Sequence, residues 1–386
     1  MKTLKFSFFV ITGSIIGWAA WCSGVQWFLP LSLFAPALWF HSPNRLTAFA
    51  VFLTYQLAAG SGLVRGVMQY YHTGVLLGVG LWLGAALVCA VPWGIAWRPR
   101  PRPRRLWAIV PYVLTTIPPL AVAAWYHPIT SAGALFPGWC LFGIVGIAAL
   151  QFALFFVPLR FAPFAAIAIL FWSFALSGPP PAPPPGWIGV RTAVASHGDP
   201  GEAPDADFTR NMSLTALATA QRADVVLTPE FSVGMFSVPA QHHWQKVSKE
   251  HAGTAYLLGA QIELETGKTA NTLILSKDGV LSAFYRQRMP VPISMWKPWT
   301  KSDGTIAYWF YNPTVQLEGR RVAVFICYEQ SLVWPFIQSL ALRPDVMMAA
   351  SNERWCAGTS IPTVRKLCVD SWSRLFAVPL LEAENL

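Results

Sequence analysis

The chain has 386 residues, a formal charge of +10, 54% hydrophobic and only 12% charged residues, and none of its 18 acidic residues occurs before Asp199. Ten Lys/Arg lie up to Ser177 and 18 follow, so the excess positive charge belongs to the first half and the second half balances at zero. A soluble first half is excluded by this pattern, and so is nucleic acid as the main partner. A DNA-binding face would sit on the soluble part, whereas positive charge between apolar runs sets membrane orientation.

A membrane-crossing helix needs roughly 20 mostly apolar residues, and the pattern predicts seven, at 6–26, 27–43, 46–64, 74–97, 106–126, 133–157 and 160–177. The first run is long and is followed directly by more apolar sequence, unlike a cleavable signal peptide. Lys2 and Lys5 precede the first span, and Arg98, Arg100, Arg102, Arg104 and Arg105 crowd the loop after the fourth. Both belong on the cytoplasmic side, and seven spans reconcile them with emergence of the chain outside after Ser177. Trp27, Tyr71, Trp97 and Trp107 near span ends are interfacial anchors.

The expected organisation is a transmembrane domain over 1–177, a Pro-rich spacer over 178–186 of polyproline type, and one catalytic-size domain over 187–386. In this last part strands alternate with helices. The predicted order is a strand at 190–196, a helix near 206–221, a strand at 225–228, a helix near 239–251, and a strand at 255–262. A hairpin follows, 271–275 and 280–285, turning at Asp278-Gly279. Then come a strand at 321–326, a helix near 335–341, a strand at 346–350, a helix near 362–376 and a last strand at 377–383.

Two strand ends carry chemistry. One apolar run, Val225-Val226-Leu227-Thr228-Pro229-Glu230, ends in a carboxylate, and another, Val322 to Glu329, places Cys327, Tyr328 and Glu329 at its end. Residues just past strand ends in α/β domains project into the ligand crevice. A free thiol is only a few per cent thiolate at neutral pH. A nearby Glu230 would serve as base for attack by Cys327 on an acyl carbonyl, forming a thioester that an amine or water then resolves. Taken singly, Cys327 is as readily a small buried strand residue and Glu230 a capping or paired surface carboxylate; the strand-end context of both turns the balance. Six cysteines without CxxC spacing, and His242-His243 without partners, give no disulfide, metal or cofactor pattern.

These residues resemble the nitrilase, or carbon-nitrogen hydrolase, superfamily, and within it the membrane branch typified by apolipoprotein N-acyltransferase. Pro229-Glu230, Asn271 with Asp278-Gly279, Ile326-Cys327-Tyr328-Glu329 and Ser351-Asn352-Glu353-Arg354-Trp355 fall in the family's order. More narrowly, with the segment Arg286-Gln287-Arg288-Met289-Pro290, the chain resembles TraB-type conjugal transfer proteins. The resemblance implies a multi-span α-helical membrane domain followed by an α-β-β-α sandwich on the periplasmic side of the inner membrane, with no cofactor. It also implies membrane lipids and a lipid-linked or protein amine as partners, and a role in conjugation. Two departures stand out: Gln287 occupies the place of the family's catalytic lysine, and Met295 that of a second glutamate. The chain also ends before the family's last strands and closing transmembrane helix.

Gln287 can donate a hydrogen bond to an oxyanion but carries no charge; Arg286, Arg288 or Lys297 are the candidates to restore it. Strand alternation turns Gln287 toward the site. Glu329 either orients the site or forms an ion pair with Arg288, and Tyr328 is equally open. Asn352 and Trp355 are expected to shape the loop beside the pocket. Arg286 and Arg288 form either a solvated basic face or a contact for anionic lipid head groups. Two functions remain in view: an N-acyltransferase or amidase-like enzyme, favoured by Glu230 with Cys327, and a degenerate scaffold that binds a conjugation component, favoured by Gln287 and Met295. A channel is disfavoured, because the spans hold no Asp or Glu.

Overall fold

Proline and glycine cut the apolar first half into helices of unequal length. The computed structural model describes residues 2–193, 206–220 and 222–386. The chain separates into two compact units, one of Met1–Pro180, Ser331–Trp334 and Gly358–Ala377, the other of Pro181–Gln330, Pro335–Ala357 and Val378–Leu386.

In the first unit, among the described residues, two helices are long and apolar enough to cross a membrane, Thr3–Trp21 and Val75–Ala96. The number rises to four if the bent pairs Arg45–Ala59 with Gly62–Tyr71 (53°) and Leu141–Leu154 with Leu159–Ala175 (120°) each make one span. Four of the seven expected spans, at 27–43, 46–64, 106–126 and 133–157, are not single helices; the second is the bent pair just described, and the last divides into Ala132–Leu135 and Leu141–Leu154. The run at 27–43 folds as a 3₁₀ segment Gln26–Leu33, carrying Pro30, and a short helix Phe34–His41. The run at 106–126 breaks into Pro101–Trp107, Ile109–Thr116 and Leu120–Ala123, with Pro118 and Pro119 between the last two. Proline removes a helix hydrogen bond and clashes with the preceding turn, a penalty that hydropathy alone does not register.

The Lys2–Trp21 and Arg45–Ala59 helices pack backbone to backbone. A Cβ at Gly13 would lie 2.8 Å from the Val51 carbonyl oxygen, and one at Gly17 only 2.2 Å from that of Tyr55. This small-xxx-small spacing is a common device for close helix contact in lipid. The Trp21 indole donates to the Tyr55 hydroxyl (2.7 Å), which donates onward to the Tyr126 carbonyl (2.7 Å). Asn44 caps the second helix by accepting from the Thr47 amide (2.9 Å).

The second unit is a mixed α/β domain built on two sheets. Its strands are β1 Trp187–Gly189, β2 Arg191–Thr192, β3 Val225–Leu227, β4 Gly234–Met235, β5 Ala255–Glu263, β6 Thr269–Lys277, β7 Val280–Arg286, β8 Val315–Leu317, β9 Arg320–Ile326, β10 Val346–Asn352 and β11 Leu380–Asn385. One sheet runs β1-β3-β5-β6-β7, with β4 beside β5, and the other runs β2-β11-β10-β9-β8. Pairing is parallel except across β5–β6–β7 and β8–β9.

Period-2 alternation sorts each strand between layers. Val225 and Leu227 join Val322, Val324, Met348 and Leu381 between the sheets, whereas Val226 turns to the layer containing Leu214, Trp244 and Val247 from the Ala206–Thr219 and Val238–Glu250 helices. The expected strand at 190–196 divides between the two sheets. Val190 donates to Leu227 of one sheet (2.8 Å) and accepts from Glu384 of the other (3.2 Å). Gly189 makes this possible, since a Cβ there would lie 1.7 Å from the Glu382 carbonyl oxygen; residues 194–196, like residue 221 of the expected helix, lie outside the described residues. Asp278 and Gly279 both take positive φ, 51° and 80°, at the hairpin turn, the requirement of a tight two-residue connection.

Replacing Gly17 with Val is expected to lower the unfolding temperature of detergent-solubilised protein by several degrees, since overpacking a tight contact costs about 1–3 kcal/mol. An unchanged thermal scan would show that the two helices do not pack this closely.

Candidate functional site

The ends of β3, β9 and β10 converge with the β6–β7 hairpin. Glu230 lies three residues past β3, after the Thr228-Pro229 turn, and only 7% of its surface is exposed. The turn crosses β5 at Gly259, where a Cβ would lie 1.9 Å from the Pro229 carbonyl oxygen. The Thr228 hydroxyl fastens this crossing, accepting from the Gly259 amide (2.9 Å) and donating to the Leu257 carbonyl (3.1 Å). Gly259 is a site-forming residue that only a view of the crossing reveals.

Cys327 follows β9 directly and takes φ +49°. A non-glycine residue in this region costs on the order of 1–3 kcal/mol and persists only where its surroundings enforce it. Here they do. The fully buried Glu329 carboxylate accepts from the Ile326 amide (2.8 Å), the Arg288 amide (2.7 Å) and the Tyr285 hydroxyl (3.0 Å). It therefore ties the residue before Cys327 to the hairpin exit.

Glu230, Cys327, Asn271, Gln287 and Asn352 come together. The Glu230 carboxylate accepts from the Asn271 side-chain amide (2.6 Å), from the Asn352 backbone amide (3.1 Å) and from the Cys327 thiol. Asn271 also donates to Gln287 Oε1 (3.1 Å), while Gln287 Nε2 donates to the Ile326 carbonyl (2.9 Å). The Asn271 Oδ1 atom is buried without a hydrogen-bond partner among the described residues. Asn352 is itself held by Asn385 Nδ2 (3.1 Å) on β11.

Electrostatics set the resting state. Burial raises the Glu230 carboxyl above its ordinary range, opposed by the thiol, the Asn271 amide and the Asn352 amide, with the Glu329 charge adding to the rise. Burial, and then the adjoining Glu230 charge, push the Cys327 thiol well above its usual value. The thiol thus keeps its proton, and the carboxylate is made more basic than an exposed one. Burial also raises Glu329, against the Arg288 guanidinium and its two backbone donors.

Other candidate residues face elsewhere. Arg288 is fully buried, with Nε 3.5 Å from Glu329 Oε1 and hydrogen bonds to the Tyr285 hydroxyl, Gln338 and Ser339; it is neither a solvated base nor a lipid contact. Alternation on the hairpin exit turns Gln287 and Arg288 to opposite sides. Arg286 approaches the Tyr308 hydroxyl at 3.5 Å, and Lys297 pairs with Asp303 at 2.8 Å. Tyr328 is buried in the turn, and Trp355 is half-buried in the Arg354–Cys356 turn. Glu353, whose Oε1 accepts from the Ser351 hydroxyl (3.4 Å), lies near enough for its charge to raise the Cys327 thiol further.

No protein-family model matches the chain. It is 33% identical over 395 residues to the conjugal transfer protein TraB of Agrobacterium fabrum (strain C58 / ATCC 33970), covering 97% of this chain and 92% of that protein. It is 34% identical over 385 residues to the probable conjugal transfer protein TraB of Sinorhizobium fredii (strain NBRC 101917 / NGR234), covering 97% of each. Among solved structures it is similar to a nitrilase-superfamily amidase of Nesterenkonia, with 14% identity over 52% of this chain and 74% of that one and a TM-score of 0.35. It is also similar to the glutamine-dependent NAD+ synthetase of Acinetobacter baumannii, with 15% identity over 43% of this chain and 31% of that one and a TM-score of 0.31.

The raised Glu230 carboxyl predicts a stability signature. A carboxyl whose folded value lies above its ordinary value of about 4.5 contributes stability that is complete below that value and is lost as pH rises through the folded one. Glu230→Gln is therefore expected to melt a few degrees above the parent at pH 8, with the gap closing toward pH 4. A gap independent of pH, or a less stable variant at pH 8, would contradict the burial of an ionised Glu230.

Proposed function

The chain belongs to the TraB family of conjugal transfer proteins, and from that premise we propose that it is a membrane-anchored enzyme of conjugation that transfers or hydrolyses an acyl group through Cys327. The hydrogen bond between the Cys327 thiol and the buried Glu230 carboxylate carries this reading. Glu230 takes the thiol proton as sulfur attacks the acyl carbonyl carbon. It then returns the proton to the leaving amine or alcohol, so that a Cys327 acyl-thioester remains. An incoming amine or water gives up its proton to Glu230, attacks the thioester, and frees the thiol. The unpartnered Asn271 Oδ1 is an acceptor suited to the N–H of an amine or amide substrate.

The Gln287 amide nitrogen carries two hydrogens and spends one on the Ile326 carbonyl, leaving one for the oxyanion of the tetrahedral intermediate. A neutral donor stabilises this charge less than a lysine does, and each such donor is worth about 10²–10³ in rate. Asn271 and the Asn352 amide hold Glu230, while Glu329 holds the Cys327 turn. Spans in the first half anchor the enzyme in the inner membrane with its α/β domain on the periplasmic side. The substrate in this reading is a lipid-linked or protein amine of the envelope or pilus machinery. A second reading, a scaffold that binds a conjugation component, is favoured by one observation: the residue beside Cys327 and Glu230 is an uncharged Gln287 already tied to main chain.

Replacing Cys327 with Ala in a plasmid carrying the gene separates the two readings. With protein accumulating at parental level, conjugation frequency is expected to fall by about 100-fold or more, as loss of a nucleophile demands, and Glu230→Gln to fall comparably. Undiminished transfer in both variants would sink the enzyme and leave the scaffold.

A further inference from the structure

We propose that the segment connecting β7 to β8, residues 290–312, is a docking surface for the interfacial layer of a phospholipid bilayer containing anionic head groups. Four large apolar side chains of this segment face solvent: Ile293 (48% exposed), Trp299 (66%), Phe310 (67%) and Tyr311 (56%). Elsewhere among the described residues of the α/β unit, Val238, Val280 and Leu342 are exposed singly, and Met212 and Leu217 lie together on the Ala206–Thr219 helix.

The segment is built rather than loose. Thr305 donates to the Met295 carbonyl (2.7 Å), Thr269 to Gly304 (2.9 Å), Ile293 to Trp296 (3.1 Å) and Tyr308 to Arg288 (2.8 Å). The Trp296 and Trp309 rings meet edge to face at 5.1 Å and join its two halves. Gly304, at φ +90°, permits the crossing, since a Cβ there would lie 2.6 Å from the Met295 carbonyl oxygen. Exposed aromatics on an ordered frame are a presented surface, of the kind that marks interaction sites.

Its chemistry selects lipid. Trp and Tyr prefer the head-group layer of a membrane, and Lys and Arg beside them attract anionic phosphates. Apart from the buried Arg288, residues 286–311 carry Arg286, Lys297 and Lys301 against one acid, Asp303. The chain also holds helices long and apolar enough to cross a membrane, so a bilayer is a standing neighbour, whereas a protein partner must be recruited. The Tyr308–Arg288 bond fixes the base of the segment one residue from Gln287. The docking itself does not depend on the acyl-transfer reading.

The test uses the full chain in nanodiscs of phosphatidylcholine and phosphatidylglycerol that include phosphatidylcholine with a diazirine in its acyl chain. Adducts formed on irradiation are mapped by peptide mass spectrometry, and adducts on Val75–Ala96 report correct reconstitution. Adducts within residues 293–311 are expected about tenfold above those at the exposed hairpin residue Val280, as for a segment lying at the acyl boundary. The variant Lys297→Glu with Lys301→Glu is expected to lose most of them. Adducts at 293–311 no more abundant than at Val280, as when a protein covers the segment instead, would overturn the proposal. Cys327→Ala is expected to leave the pattern unchanged, so that failure of acyl chemistry and failure of docking are read separately.

Discussion

Two carboxylates taken out of water govern this site. Removing an ion from water costs several kcal/mol even after relaxation, and the protein answers the cost at Glu230 and Glu329 in different ways. Glu329 receives a guanidinium, a phenol and two backbone amides, a complete set of partners that makes it a structural anchor. Glu230 receives only neutral donors, among them a thiol. The first carboxylate is held in place by these partners and so holds the Cys327 turn, and the second is made more basic by burial. In neighbouring turns, the same residue type thus serves as positioning group in one place and as proposed base in the other.

Much of the α/β unit was legible because its signals are local. The Asp278-Gly279 turn fixed the hairpin, period-2 patterns fixed the strands, and two of those strands ended in the residues that now meet. Pairing with Arg288 was one of two roles the sequence left open for Glu329, and alternation separated Gln287 from Arg288. What local pattern does not encode is where one strand crosses between sheets. Val190 serves both sheets, Gly189 permits the close approach to β11, and Gly259 permits the crossing beside Glu230. A glycine in a strand has no distinctive neighbours in sequence, so its role appears only when another backbone lies against the missing Cβ.

The helical part illustrates the reverse case. Hydropathy favoured seven spans, but hydropathy is blind to hydrogen bonding. Pro30 and the Pro118-Pro119 pair interrupt apolar runs that would otherwise make continuous helices. Meanwhile Gly13 and Gly17, unremarkable in a hydropathy profile, allow a close helix contact in that unit. Charge distribution is the more durable signal, because with no acid before Asp199 the first half's arginines turn to backbone carbonyls and rings. Arg104 shows the internal solution, donating to the carbonyl of Pro99 (2.9 Å) while lying 4.4 Å from the Trp97 ring centre.

The account rests on covalent chemistry at one sulfur atom. Intact-peptide mass spectrometry of the Cys327 segment, from protein purified out of its native membrane, tests it directly beside a Glu230→Gln variant. An acyl thioester on Cys327 in the parent, with a mass that identifies the donor chain, and its loss or marked reduction in the variant, is the predicted result. A free Cys327 thiol in both proteins, with no labelling by acyl-chain probes, would contradict it.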